Sequence, residues 1–314
     1  MELSQQISRN KRKSFLLFCG FIVIYLAIGW AISYLYGNVA LVIAAIVAVG
    51  MTLAALFLGD DMAVALAGGQ KVEERSQAPE LWDAVETMTL AAGLPKMPRV
   101  YIAMDESPNA FAAGRTQEQA IVCANIGLIR ALDKEELEGV IAHEISHVRN
   151  YDVRLMTYAA VLAGSLGLIS ELGLRLGLFG GGRRDNQNPI MVIVALVTLI
   201  LAPIAAVLIQ MSISRRREFL ADAMAAELTR YPQGLSSALR LIAGPAQATK
   251  NSSTIAHMYI VPGAFGALGR LFATHPPTED RLAALDTLSG GIQHSHSKRE
   301  YSQAMAGILG PQGL

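Results

Sequence analysis

The sequence predicts a mainly α-helical chain with a small β element, in which helical membrane hairpins are joined to a globular domain. Three observations predict this. The chain of 314 residues is 52% hydrophobic and only 17% charged, where a soluble domain carries about 25% charged residues, and its mean hydropathy is +0.37. Two uncharged apolar runs of membrane-spanning length lie close together near the N-terminus. The β signal is confined to two short stretches between Arg99 and Ala124, with helical patterning around them. The same composition excludes other classes. Basic and acidic residues balance at 26 each, which argues against a nucleic-acid binder. The two cysteines, Cys19 and Cys123, have no partner spacing that would make a disulfide framework or a cysteine metal site.

In chain order, residues 15–36 and 39–58 are the two apolar runs, interrupted by Gly37-Asn38 and closed by Gly59-Asp60-Asp61. Each has about the 20 residues needed to cross roughly 30 Å of hydrocarbon. The first follows Arg9, Lys11, Arg12 and Lys13. It is too long for a signal peptide and a second span follows almost at once, so a helical hairpin is expected. The positive flank puts the N-terminus in the cytosol, and with it the chain after Asp60.

Residues 61–151 read as mixed α/β. An amphipathic helix is expected over 81–92, a turn over 95–98, and strands over 99–103 and 120–124. Asp133 is a helix N-cap with Glu136 at the capping-box position, and the helix runs on through Leu137, Val140 and Ile141. Residues 155–169 and 189–209 are candidates for a second membrane hairpin around the loop 180–185. Arg149, Arg154 and Arg215-Arg216-Arg217 keep its flanks inside. Beyond Ser214 the pattern is helical to about Thr287, with breaks at Tyr231-Pro232 and Gly244-Pro245, and from Ser289 on it is polar and frayed. The expected organisation is an N-terminal hairpin (1–60), the first part of a cytosolic domain (61–152), a second hairpin (153–212) and the second part of the domain (213–314).

The residues that carry chemistry are His143-Glu144-Ile145-Ser146-His147. On a helix, positions i and i+4 share a face, so two imidazoles can grip one metal ion while Glu144 reaches its water. This is the His-Glu-x-x-His geometry of zinc peptidases. A catalytic zinc needs a third protein ligand and an open position. The best third ligand is Glu218, four residues before Asp222 in an otherwise apolar helical stretch, Phe219 to Ala225. One carboxylate of that pair can bind metal while the other orients a ligand histidine.

With these motifs the chain resembles the HtpX-like integral-membrane zinc metalloproteases, gluzincins related to the CaaX prenyl proteases. The resemblance rests on the N-terminal hairpin, the segment 108–114, the segment 142–150, residues 214–222, and Thr274-His275-Pro276-Pro277-Thr278-Glu279-Asp280-Arg281. It implies a zincin-like metalloprotease domain with one Zn²⁺ per chain on His143, His147 and Glu218 and with Glu144 as the catalytic acid/base. It also implies His275 as an oxyanion stabiliser, Arg281 as the anchor of Asp222, and Asn109, Ala110, Phe111 and Ala112 as an edge strand beside the substrate. The expected substrates are membrane and soluble polypeptides, typically misfolded or damaged membrane proteins, handled in quality control and stress response. The expected setting is the bilayer of a bacterial inner membrane with the active site facing the cytoplasm, and no nucleic acid is involved. The sequence leaves the oligomeric state open.

Two other classes compete. A non-catalytic membrane scaffold or chaperone with a zinc-stabilised domain would have no use for Glu144, and structural zinc sites are usually closed by four protein ligands. A metal transporter would place its ligands inside the spans, and these lie outside them. One constraint is geometric: His147 and Glu218 must lie on one side of the bilayer to share an ion, so an even number of crossings separates them. The metal-binding helix is expected to continue into the membrane.

Overall fold

In lipid every backbone polar group must be bonded within its own segment, which makes a long apolar run a helix. The computed structural model describes residues 3–36, 38–159, 161–162, 215–243 and 277–294. Helix α1 (Leu3–Tyr36) and helix α2 (Val39–Ala67) form the expected hairpin. Arg12–Trp30 and Leu41–Ala67 are long and apolar enough to cross a membrane, and the second stretch is only 11% buried, too exposed for the core helix of a soluble protein. Val42, Ile46 and Phe57 point outward from it.

Gly59-Asp60-Asp61 does not end α2, contrary to expectation. The helix runs on to Ala67. The guanidinium of Arg99 bonds Asp60 at 2.6 Å and Asp61 at 2.9 Å, so each carboxylate has a cationic partner while the helix continues. The helix stops at Gly68, whose φ of 67° suits a residue without Cβ, and whose amide bonds the carbonyls of Ala65 and Val64.

The chain turns directly into strand β1 (Gly69–Lys71), a short element that the sequence pattern does not announce. After helix α3 (Pro79–Ala92) come β2 (Arg99–Ala103), β3 (Ala110–Ala113) and β4 (Ile121–Asn125). The sheet order is β1-β2-β4-β3. β2 and β4 are parallel, and the outer pairs are antiparallel. β4 is buried along its whole length, as befits a central strand, and lies one residue later than expected. A short helix, α4 (Ile126–Ala131), follows it.

Helix α5 (Lys134–Arg149) begins with the expected reciprocal capping box between Asp133 and Glu136. It does not continue into the membrane. It ends at Asn150, Tyr151 takes a left-handed φ of 59°, and a separate helix, α6, begins, helical over residues 152–159. α6 packs on the hairpin: the rings of Tyr158 and Phe18 lie 5.0 Å apart, in a cluster with Leu17, Phe21, Leu155 and Leu162. Helices α7 (Arg215–Thr229) and α8 (Pro232–Ile242) are divided at Arg230-Tyr231, where Pro232 opens a new helix. Helix α9 (Thr278–His294) passes the expected fray point at Ser289. The Ser289 hydroxyl bonds the Leu285 carbonyl there. Residues 189–209, most of 155–169, the loop 180–185 and Gly244-Pro245 lie outside the described residues.

One face of the sheet packs on α3, α5, α7, α8 and α9 through Leu81, Val122, Ile141, Leu239 and Leu285. The other is covered by the C-terminal end of α2, where Ala63, Val64 and Ala67 meet Phe111 and Cys123. The site lies on α5 between the sheet and α7.

Candidate active site

Helix α5 is buried from Gly139 to Val148, so its histidines cannot face bulk water. His143 and His147 lie on consecutive turns with Nε2 atoms 3.2 Å apart and ring planes at 88°. Glu218, on the first turn of α7, aims its carboxylate between them. Oε2 is 3.6 Å from His143 Nε2 and Oε1 is 3.6 Å from His147 Nε2. A zinc tetrahedron with arms of about 2.0–2.1 Å has edges of about 3.3–3.4 Å. One ligand atom from each of the three residues lies within 4.8 Å of the others, close to what such an ion requires, and the set of two imidazoles and one carboxylate leaves a fourth position open. Among the described residues this is the cluster able to hold a metal ion.

Asp222, one turn beyond Glu218, lies 2.8 Å from His143 Nδ1. Arg281 from α9 grips the same carboxylate with two bonds, at 2.7 and 2.9 Å. Among the described residues Arg281 is the largest fully buried side chain, and a buried guanidinium requires such a partner. The electrostatics follow from this packing. Burial opposes the charge of Asp222, but Arg281 and His143 outweigh it and hold its pKa down at about 2. Burial likewise disfavours a charged His143, but Asp222 and Glu218 outweigh it and raise the imidazole to about 9. The pocket is therefore built to hold positive charge.

Glu144 is 2% exposed and lies beside the histidines on the side of β3. Burial pushes its pKa up, against the pull of His143 and His147. The amide of Ala112 donates to its Oε2 at 2.7 Å. The amide of Asn125 bonds the Asn109 carbonyl, and β3 is antiparallel to β4. In such a ladder alternate residues pair with the neighbour. Phe111 and Ala113 thus face β4, while the backbone groups of Ala110 and Ala112 turn away from it, the Ala110 amide bonding the Asn109 side chain and the Ala112 amide Glu144. β3 is an edge strand of the sheet and borders the site through Ala112, with Asn109 lying just before it. His275 lies outside the described residues.

Asp152 and Arg217 belong to the same cluster but are not singled out by the sequence reading. Asp152 Oδ2 is 3.5 Å from His147 Nδ1, and its other oxygen is 3.1 Å from Arg217. The five-residue offset from His147 to Asp152 is not a helical spacing. Only the turn at Tyr151 brings the two together.

A fold with this sheet, this helix and two histidines closed by a distant glutamate defines a metallopeptidase. The profile of Peptidase family M48 matches residues 75–289. The chain is 43% identical over 294 residues to the protease HtpX homologue of Ligilactobacillus salivarius, covering 90% of this chain and 99% of that protein. It is 41% identical over 295 residues to the homologue of Streptococcus gordonii, covering 90% and 99%. It is 41% identical over 281 residues to the homologue of Tropheryma whipplei (strain Twist), covering 89% and 96%. The chain belongs to peptidase family M48, among the HtpX homologues, and is an integral-membrane zinc metallopeptidase acting on polypeptides.

Proposed function

We propose that the chain is an endopeptidase that cleaves misfolded or damaged membrane proteins at the cytoplasmic face of a bacterial inner membrane. In this reading His143, His147 and Glu218 hold one Zn²⁺ per chain. When bound, zinc acidifies water and polarises a carbonyl. Glu144 takes the proton of the attacking water and delivers it to the leaving amine. Its raised pKa suits both halves of that exchange. The substrate backbone lies along the outer edge of β3 as an added strand, next to Ala110 and Ala112. Asp222, held by Arg281, keeps the proton of His143 on Nδ1 so that Nε2 faces the ion.

The observation that carries the reading is the place of Glu144, between the histidine pair and the amide of Ala112. A purely structural metal site needs no carboxylate there. The convergence of His147 and Glu218 requires an even number of crossings between them, which a second hairpin over 153–212 meets, as would none, with 61–152 and 213–314 forming one cytosolic domain. The test is hydrolysis of a casein-like substrate by purified zinc-loaded protein. Glu144→Gln is expected to bind zinc normally and lose about 10²–10⁴-fold in kcat, and Glu218→Ala to lose zinc as well. Equal hydrolysis by wild type and Glu144→Gln overturns the assignment.

A further inference from the structure

His147 presents Nε2 to His143 and Glu218. An imidazole that offers the lone pair of one nitrogen to a cation carries its proton on the other, and that N–H needs an acceptor. For His143 the acceptor is Asp222. For His147 the carboxylate in that position is Asp152, 3.5 Å from Nδ1. Asp152 is 3% exposed. A buried carboxylate must be partnered, and Arg217 meets its other oxygen at 3.1 Å. The two histidines are therefore backed in the same manner, each by an aspartate that an arginine braces from behind.

The second pair differs in where it comes from. Asp222 and Arg281 sit on α7 and α9, within the globular domain. Asp152 is the first residue of α6, the helix that packs Tyr158 against Phe18 of the membrane hairpin. Arg217 directly precedes Glu218 on α7. One ion pair thus joins three helices around a single imidazole. The left-handed turn at Tyr151 is what folds α6 back so that its first residue reaches the end of α5.

We propose that Asp152, braced by Arg217, is the positioning residue of His147: it holds the proton on Nδ1 and the ring in place, and through it the start of α6 sets how tightly the site holds its cation. This rests on His147 being a zinc ligand, and the two ideas fail separately. If His147→Ala binds zinc as tightly as wild type, the ligand assignment is wrong.

The experiment uses full-length protein in neutral detergent, with zinc affinity measured by competition against a chromophoric chelator at fixed pH. Thermal midpoints of the zinc-free forms are recorded in parallel. Asp152→Ala is expected to bind zinc 10–100-fold more weakly. Asp152→Asn, which keeps the shape and one acceptor, falls between it and wild type. Arg217→Gln weakens binding less than Asp152→Ala does, and Arg217→Lys, which keeps the charge, restores it. The zinc-free midpoint of Asp152→Asn stays within a few degrees of wild type. Should Asp152→Ala fail to fold, Asp152→Asn and the two Arg217 variants decide the matter. The proposal is overturned if Asp152→Asn and Arg217→Gln hold zinc as wild type does. It is equally overturned if affinity falls only in step with the zinc-free midpoint, which is the signature of a plain structural ion pair.

Discussion

Four carboxylates surround the two histidines, and their environments keep them from exchanging roles. Asp222 is locked to Arg281 and remains ionised, whereas burial lifts Glu144. Removing Asp222 takes the two-bonded carboxylate partner away from a buried guanidinium. Asp222→Ala is expected to lose about 3–5 kcal/mol of stability, read from denaturant unfolding of the zinc-free protein, while Asp222→Asn loses less. A loss below about 1 kcal/mol would mean that Arg281 finds another partner. Cys123 supplies a residue-scale test of the sheet. Burial between β2 and β3 pushes its thiol up to about 12. The thiolate is the disfavoured species, so at pH 8 native protein should resist iodoacetamide at Cys123 while denatured protein is alkylated there. Rapid native labelling at that position would contradict the packing of β4. Of these residues, the histidine pair is legible because an i, i+4 spacing is local, and Glu218 and Asp222 are legible as a second such pair. Asp152 is hidden because its approach to His147 is made by one left-handed residue, Tyr151, which sequence patterning does not mark.

At the scale of elements, local signals predicted starts better than ends. The capping box of α5 formed from the residues that announce it, Asp133 and Glu136. The end of α2 lies beyond its expected place because Asp60 and Asp61 look like a helix stop, and only Arg99, far along the chain, pairs with both. β1 is three residues long and owes its existence to pairing with β2, so it has no pattern of its own. The contact of α5 with α8 is set by two glycines. A Cβ on Gly139 would come within 2.6 Å of the Leu235 amide, and one on Gly234 within 2.5 Å of the Glu135 carbonyl. Gly139→Ala gains helix propensity, about 1 kcal/mol, yet must push α8 away. The expected net result is a destabilisation of roughly 1–3 kcal/mol with weaker zinc binding, since the same helix carries both histidines. A midpoint raised above wild type would show that the helices separate without strain.

At the scale of the whole molecule, topology follows from the site more firmly than from hydropathy. The described spans are two, and the apolar stretch of the proposed second hairpin gives no parity by itself. The meeting of His147 with Glu218 does. Orientation is testable in sealed inverted vesicles: in a Cys19→Ser background, Glu73→Cys should react with a membrane-impermeant maleimide, since Glu73 is exposed just beyond β1. In right-side-out vesicles it should not react. The reverse pattern would put the domain outside.

The uninterrupted passage of α2 out of the bilayer has one more consequence. From Leu58 to Ala67 the helix rises about 14 Å, and it is riveted to the sheet by Arg99 and handed to β1 by a single glycine. Among the described residues no slack tether separates α2 from the sheet. If the bilayer ends near Leu58, the cutting edge would ride at a set height above the lipid, like a blade on a fixed gauge, and reach along the membrane normal would become a selection rule in its own right. A peptide bond would then be offered for cleavage only if the chain that carries it hangs loose at that altitude.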